Sequence, residues 1–273
     1  MLEFFIIFLF IFFVFCISEL YQILGFRSTR KRQKIIIFSP DDGILRSMII
    51  INFKDYDEST GENAVSLAKE FEKVFNETGV PIVVVVHPFD LRNVVEACPN
   101  LAVYCQTADG YTLDESHTKK KTQTGRITPI MLKKTGATGV ILNHAENPLV
   151  DDEIERIVND MNADFPEAQI VVCAGSSERA EAVSKRVEVA YIAIEPPDLI
   201  GGDISVTTRP EIIEEAVEKV GDNVLVGAGV KTAEDITKAK ELGAKGVLLA
   251  SGVIKPKDGG TPYESLIALT KAF

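Results

Sequence analysis

The stretch AYIAIEPPDLIGG, at residues 190–202, predicts a buried β-strand that ends on the carboxylate of Glu195. Two prolines then make a stiff corner, and a short apolar loop closes on Gly201 and a second glycine. In a parallel sheet flanked by helices, ligands gather at the C-terminal ends of the strands. Glu195 is therefore a candidate general base beneath a loop that can act as a lid. A Glu in an ordinary turn is the alternative interpretation.

Apolar runs alternate with amphipathic stretches from Met48 to Phe273. The runs are rich in β-branched residues and predict eight strands, at residues 48–53, 81–86, 101–106, 138–143, 168–173, 189–195, 223–228 and 245–251. Helical periodicity fills most of the intervals, at residues 63–76, 151–162, 177–186, 210–220, 233–242 and 262–272. This alternation indicates a parallel sheet with right-handed crossovers. Eight units in one region of this size predict a single (β/α)8 barrel, since open doubly wound sheets usually have about five to seven strands.

Residues 1–47 form a hydrophobic and basic extension before the predicted barrel. Phe4 to Ile17 is an unbroken apolar run, and a basic cluster lies between Arg27 and Lys34. The run lacks the features of a signal peptide, and Glu19 interrupts it before the roughly 20 apolar residues that a membrane span needs. We expect a start-site artefact, with a membrane anchor as the alternative. In both cases the barrel, at residues 48–273, is expected to lie in the cytoplasm, because the basic cluster would stay there.

The composition argues against several classes of partner. The chain of 273 residues carries a formal net charge of -11, which repels nucleic acid backbones, so we expect no nucleic acid partner. The four cysteines have no CxxC spacing, which is typical of a reducing compartment and not of a disulfide framework or a zinc site. The three histidines lack ligand spacing as well. We therefore expect no metal and no cofactor.

Polar or glycine residues follow the predicted strands. They are Asn52, Lys54, Gln106, Asn143, His144, Glu195, Gly227 to Gly229, Ser251 and Gly252. Any one of them alone could be a simple turn residue. Together they bring a base, an electrophile, an ammonium group and two glycine turns to one face of the barrel, which favours an active site.

Each of these residue types suits one step of a single reaction. Lys54 supplies a fixed positive charge for an anionic substrate or a developing enolate. His144 can polarise a carbonyl group while Glu195 removes a proton from the adjacent carbon. Turns after the seventh and eighth strands expose backbone N–H groups, and phosphate commonly binds there in this fold. The expected substrate is a small phosphorylated carbonyl compound.

Several of these segments closely resemble the triosephosphate isomerase family in its compact archaeal form. The matching segments are Asn52-Phe53-Lys54, Gln106, Thr124-Gly125, the run 142–147 (LNHAEN), the run 195–201 (EPPDLIG) and the run 226–229 (VGAG). The resemblance covers Met48 to the C-terminus. It implies isomerisation of glyceraldehyde 3-phosphate and dihydroxyacetone phosphate through an enediolate, a step of glycolysis and gluconeogenesis.

The resemblance also assigns roles to single residues. It makes Glu195 the proton-abstracting base, His144 the electrophile and Lys54 the electrostatic anchor, with Asn52 positioning the substrate. It places Gly201, Gly229, Ser251 and Gly252 at the phosphate.

The resemblance at the third loop implies an oligomer. Thr124 matches the loop tip, which in this family reaches into the site of a neighbouring subunit, so the resemblance implies a homo-oligomer, either a dimer or a tetramer. Ser116-His117-Thr118 is a competing match for the tip, since the loop is expanded in this chain. Arg126 and the segment 127–129 that follows it favour Thr124-Gly125.

The chain departs from the family pattern at three positions. Ala145 replaces the usual Ser after the catalytic His, Asp203 places an acid at the end of the lid, and Lys231 replaces a common Ser after the seventh strand. We expect an active enzyme with an altered lid, in which Lys231 offsets the charge of Asp203.

Two other functions remain open at this point. One is another phosphate-binding barrel enzyme, such as an aldolase or a prenyl-glyceryl-phosphate synthase. An aldolase would need a Schiff-base Lys on a central strand, and the fifth and sixth strands have none. The other is a non-catalytic barrel that serves as a binding module.

Overall fold

A computed structural model describes residues 47–120, 122–202, 204–257 and 259–273. Within these ranges, eight parallel strands form a closed barrel in sequence order, which confirms the predicted fold class. The strands are β1 (Met48–Asn52), β2 (Ile82–Val86), β3 (Ala102–Cys105), β4 (Gly139–Leu142), β5 (Gln169–Ala174), β6 (Tyr191–Ile194), β7 (Val224–Gly227) and β8 (Gly246–Leu249). Because all strands run in one direction, their C-terminal ends form a single rim.

Helices follow the strands along the chain. They are α1 (Glu62–Thr78), α2 (Leu91–Ala97), α3 (Pro129–Thr135), α4 (Asp151–Asp164), α5 (Ser177–Arg186), α6 (Pro210–Val220), α7 (Ala233–Glu241), α8 (Ser251–Ile254) and α9 (Pro262–Thr270). Most of them bury an apolar face against the outside of the barrel. Short 3-10 segments lie at Asp57–Ser59, Pro197–Leu199 and Val206–Thr208.

Two apolar layers stabilise the barrel. The inner layer fills the barrel and contains Met48, Ile50, Val83, Val85, Tyr104, Ile141, Val171, Cys173, Tyr191, Ala193, Leu225 and Leu248. The outer layer lies between the strands and the helices, where Ile49 and Ile51 belong to the same cluster as Phe71 of α1. Strands buried on both faces explain why the sequence shows continuous apolar runs instead of strict alternation.

The observed elements differ from the sequence prediction in small ways. Helices α2 and α3 were not predicted, because seven residues each give too little periodicity to recognise. Residue 251 was predicted to end the eighth strand, but β8 ends at Leu249 and Ser251 begins α8. Ala250, with φ -148 and ψ -100, breaks the extended conformation between them.

The third loop is expanded, as the sequence suggests. Leu113 pairs with Lys119 across a small antiparallel hairpin, and the Asp114 side chain accepts a hydrogen bond from the Ser116 N–H at 2.9 Å. Lys119 Nζ lies 2.7 Å from Oδ1 of the buried Asp160 on α4. The hairpin is therefore anchored to its own barrel, and the exposed Thr124 follows it along the chain.

Parts of the sequence prediction lie outside the described residues. The hydrophobic extension is among them except for Ser47, and so is Asp203. In the part of the chain that the structure describes, no helix combines the length and apolarity needed to cross a membrane.

Candidate active site

A cavity opens at the C-terminal ends of the strands. All eight residues that the sequence predicts for the site line it: Asn52, Lys54, His144, Glu195, Gly201, Gly229, Ser251 and Gly252. They come from five different βα units, so the closed barrel brings together residues that lie far apart in sequence.

Glu195 extends the inward-facing row of β6. Tyr191 and Ala193 belong to the layer that fills the barrel, and Glu195 is the next residue with the same orientation. Its side chain packs against Gly227 on the neighbouring β7, where an added Cβ would lie 2.6 Å from Cγ of Glu195. The glycine at position 227 therefore makes room for the carboxyl group.

Burial dominates the electrostatics of Glu195. Removal from water raises the pKa of the Glu195 carboxyl above its ordinary value, and this effect outweighs the opposing influence of His144 and Lys54. Its Oε2 atom is buried and has no hydrogen-bond partner among the described residues. An unpartnered carboxylate oxygen that faces a cavity is available to accept a proton from a bound molecule.

His144 follows β4 and lies beside the carboxyl group. Its Nδ1 accepts a hydrogen bond from the backbone N–H of Glu146 at 3.2 Å. A ring nitrogen that accepts cannot carry the proton, so the neutral ring is protonated at Nε2. Nε2 lies 3.7 Å from Oε2 of Glu195, and its N–H is the donor that the ring presents to the cavity.

Asn143 fixes the turn that carries His144. It adopts a left-handed conformation with φ 58, which Asn tolerates better than most residues. Its side-chain amide donates to the Cys173 carbonyl of β5 at 2.8 Å and accepts from the Leu149 N–H at 2.9 Å. These two bonds tie the turn to the neighbouring strand and to the start of the next helix.

Lys54 is held in a strained backbone conformation. Its φ is 52, which is unfavourable for a residue with a long side chain. The Asn52 side chain accepts from the Lys54 N–H at 3.0 Å, and the Gln106 side chain donates to the Lys54 carbonyl at 2.9 Å. The Lys54 ammonium then lies 2.6 Å from Oε1 of Glu146. Both ends of Lys54 are therefore fixed in place.

Glycine turns form part of the cavity wall. Gly229 has φ +72, and an added Cβ would lie 2.0 Å from the Ile204 carbonyl oxygen, so only glycine fits there. Gly201 of the lid also has a positive φ, at +73. The backbone N–H groups of Gly229 and Gly252 donate to no described residue. Turns of this kind suit the binding of a phosphate group.

Sequence reasoning gave no role to Tyr56, which lines this cavity, or to Glu146, which pairs with Lys54 and lies 3.6 Å from Nδ1 of His144. An acid two residues after a strand-end histidine was the available signal for Glu146. Thr124 does not line this cavity. In the described part of the chain, no cluster of three His, Cys, Asp or Glu side chains could hold a metal ion.

The raised pKa of Glu195 predicts a pH-dependent effect on stability. In the folded protein this carboxyl holds its proton more tightly than in the unfolded chain, so its contribution to stability falls as the pH rises through the folded pKa. Glu195→Gln should therefore unfold at a higher temperature than the parent protein near neutral pH. The difference in unfolding temperature should disappear below about pH 4, where the carboxyl is protonated in both the folded and the unfolded protein.

Thermal unfolding followed by circular dichroism across this pH range measures the effect. Glu70→Gln, at an exposed position on α1, is the matched control and should show no such trend. A parent protein that is more stable than Glu195→Gln at neutral pH would contradict the burial argument.

Comparison with known proteins agrees with this geometry. A family model described as triosephosphate isomerase matches residues 47–270. A triosephosphate isomerase of Methanothermus fervidus is 39% identical over 228 residues, covering 81% of this chain and 98% of the relative. The triosephosphate isomerase of Methanocaldococcus jannaschii is 37% identical, covering 81% of this chain and 98% of the relative. That of Caldivirga maquilingensis is 39% identical, covering 77% of this chain and 92% of the relative. The chain therefore belongs to the triosephosphate isomerase family, the aldose–ketose isomerases that interconvert glyceraldehyde 3-phosphate and dihydroxyacetone phosphate.

Proposed function

We propose that the chain carries out this isomerisation by proton transfer through an enediolate, with Glu195 as the base, His144 as the electrophile and Lys54 as the electrostatic anchor. One observation carries the proposal. The unpartnered Oε2 of Glu195 lies 3.7 Å from Nε2 of His144, and Nδ1 of that ring accepts a hydrogen bond, so a proton acceptor and a proton donor face the same space.

The reaction begins with Glu195. In its ionised form the carboxylate takes a proton from the carbon next to the substrate carbonyl, and burial makes it a stronger base than an exposed Glu. Negative charge moves to the carbonyl oxygen as the C–H bond breaks. The Nε2–H of His144 donates to that oxygen, and the nearby Lys54 ammonium stabilises the charge. Glu195 then returns the proton to the adjacent carbon, which converts aldose into ketose.

We assign the phosphate of the substrate to the part of the cavity wall that the glycine turns form. Gly201, Gly229, Ser251 and Gly252 lie there, at the lid and at the turns after β7 and β8. Asn52 and Lys54 line the same cavity, where they would position the substrate.

The competing functions are less well supported. Strands β5 and β6 carry no lysine, so a Schiff-base aldolase lacks its nucleophile. A non-catalytic binding module would not need a buried carboxylate oxygen without a partner, since such a group lowers stability.

Glu195→Gln should lower kcat by several orders of magnitude. The amide keeps the shape of the side chain but cannot accept a proton. The measurement is isomerisation of glyceraldehyde 3-phosphate by the purified protein, with Glu70→Gln as a control of equal charge change. Turnover close to that of the parent in a folded Glu195→Gln protein would exclude Glu195 as the base.

His144→Gln should lower kcat by about two to three orders of magnitude, the range for loss of one oriented donor to a developing oxyanion. The Michaelis constant should change much less, because the donor matters most as charge develops. His117→Gln, at an exposed position in the third loop, is the matched control. A change confined to substrate affinity would argue against the electrophile role.

The proposed assembly is a homo-oligomer, at least a dimer. Large apolar side chains are exposed beside the second and third strands, where Phe89 is 89% exposed just before α2 and Met131 is 53% exposed at the start of α3. Helices α2 and α3 pack against each other, so the two residues belong to one region of the surface. An exposed apolar patch of this kind is typical of a protein interface. A second copy of the chain is the expected partner.

Phe89→Asp should shift the protein toward monomer in sedimentation velocity experiments, because it places a charge in the interface. Phe273→Asp is the control, since Phe273 is 39% exposed and follows α9, which packs against α1, α7 and α8. It should leave at least a dimer. A parent protein that sediments as a monomer at micromolar concentration would contradict the proposed assembly.

We also propose that residues 48–273 are the catalytic unit and that they work in the cytoplasm. The family model begins at residue 47, which supports the boundary. Cys98, Cys105 and Cys173 are unpaired and buried, as is common for proteins of a reducing compartment.

A further inference from the structure

The first loop, at residues 53–61, links β1 to α1 and contains Lys54. One buried serine holds its two halves together. The Ser59 hydroxyl donates to the Phe53 carbonyl oxygen, directly before Lys54. The Ser59 N–H donates to the Tyr56 carbonyl oxygen at 2.9 Å. A movement in the middle of this loop is therefore transmitted to the turn that carries Lys54.

The turn at Lys54 needs this support. Its φ of 52 is unfavourable, and such a conformation persists only where the surrounding contacts hold it. Asn52 and Gln106 bond the backbone of Lys54 itself. Ser59 is the contact from the loop side, because it bonds the residue before Lys54.

A lysine from the end of α8 packs on the first loop. Lys255 directly follows α8, and the two segments are neighbours because β8 pairs with β1 in the closed barrel. Its Nζ lies 4.4 Å from the centre of the Tyr56 ring and 2.8 Å from Oε2 of Glu58. The Lys255 N–H donates to the Ser251 carbonyl oxygen at 2.9 Å. Lys255 therefore ties the middle of the first loop to the last turn of α8.

The ion pair keeps Lys255 charged without adding much to the stability of the fold. Its hydrogen bond to Glu58 raises the pKa of the Lys255 ammonium above its ordinary value, and the same bond lowers the pKa of the Glu58 carboxyl. The Lys255 and Glu58 side chains are 42% and 51% exposed, and exposed pairs of this kind contribute little to the free energy of unfolding. We expect their effect on the local position of the loop.

Tyr56 connects this contact to the active-site cavity. Its side chain is half-buried and lines the cavity together with Lys54. Lys255 does not line the cavity, but it packs on a ring that does. A shift of that ring would change the cavity wall and the loop two residues after Lys54.

We propose that Lys255 is a positioning residue for the reaction, which clamps Tyr56 and Glu58 and so holds the first loop in the conformation that places the Lys54 ammonium at the substrate. The proposal rests on the proposed function, because it takes Lys54 as the electrostatic anchor of the isomerisation. It gives the end of α8 a role in the chemistry through the loop of another βα unit.

Steady-state kinetics with glyceraldehyde 3-phosphate test the effect on the reaction. Lys255→Met should lower kcat/KM about two- to fivefold, the factor that corresponds to one partly exposed contact between a cation and an aromatic ring. Lys255→Arg keeps the cation and can stack on the ring, so it should recover most of the loss. Unchanged kcat/KM in a folded Lys255→Met protein would overturn the proposal.

Lys73→Met is the matched control for these measurements. Lys73 of α1 also lies over an aromatic ring, 4.5 Å from the centre of Tyr263, and its Nζ lies 3.8 Å from Oε1 of Glu77. None of these three residues lines the cavity. Lys73→Met should therefore match the parent in kcat/KM.

Thermal unfolding separates positioning from a general loss of stability. Lys255→Met should unfold at nearly the temperature of the parent, because the pair that it breaks is exposed. A loss of activity that follows a loss of stability and that Lys255→Arg does not restore would contradict a positioning role. If Lys255→Met does not fold, Glu58→Gln takes its place, since it breaks the ion pair and keeps the lysine.

Hydrogen exchange of the first loop gives a readout that does not need activity. Lys255→Met should speed exchange in peptides spanning residues 53–60, where the N–H groups of Lys54 and Ser59 are hydrogen-bonded. Exchange at residues 143–149, the turn that carries His144, should stay as in the parent.

The same measurement distinguishes failure of the clamp from failure of the proposed function. Lack of isomerase activity in the parent would defeat the function, whereas faster exchange of the first loop in Lys255→Met would still support the clamp. Equal exchange of that loop in the two proteins would defeat the clamp and leave the function standing.

Discussion

The site depends on the burial of one carboxyl group at the top of a closed barrel. Glu195 continues the inward row of β6, and the missing side chain of Gly227 gives it room. Burial raises its pKa and leaves Oε2 without a partner among the described residues. Both features lower the stability of the folded protein, and both make the group a better proton acceptor. The apolar layers below it and around the barrel offset this cost.

The proposed role of Glu195 as a base also requires that the turns carrying His144 and Lys54 be fixed in place. A base can act on a bound substrate only if the electrophile and the cation do not move away from it. Asn143 and Asn52 serve this purpose in similar ways, since each uses its side chain to stabilise a backbone turn with a left-handed residue. Both turns place a functional group, His144 or Lys54, at the rim of the barrel. Backbone strain is thus found at Lys54 itself and at Asn143, which directly precedes His144.

Much of this could be predicted from the sequence, because the barrel fold converts position along the chain into position in space. Once eight strands are recognised, the residue after each strand must lie at one rim, so Glu195, His144 and Lys54 were expected to meet. Short helices were missed because two turns or fewer leave little periodicity. Contacts between long side chains, such as that between Glu146 and Lys54, could not be predicted from the sequence. They depend on side-chain rotamers, which the pattern of residues does not determine.

Lys231 shows what the sequence could predict about a residue of the site and what it could not. Its place after the seventh strand predicted that it would offset the charge of Asp203, which lies outside the described residues, and Lys231 lines the cavity. Its bond to Gly202, and the use of its N–H by Asp235, could be seen only in the folded chain. The net charge of -11 for the whole protein is unfavourable for an anionic substrate at long range. At contact distance, however, the local arrangement of donors decides affinity, because charges more than about 8 Å away are largely screened at physiological salt. The donors that line the cavity, among them the Lys54 ammonium, therefore matter more for the affinity of an anionic substrate than the charge of the whole protein does.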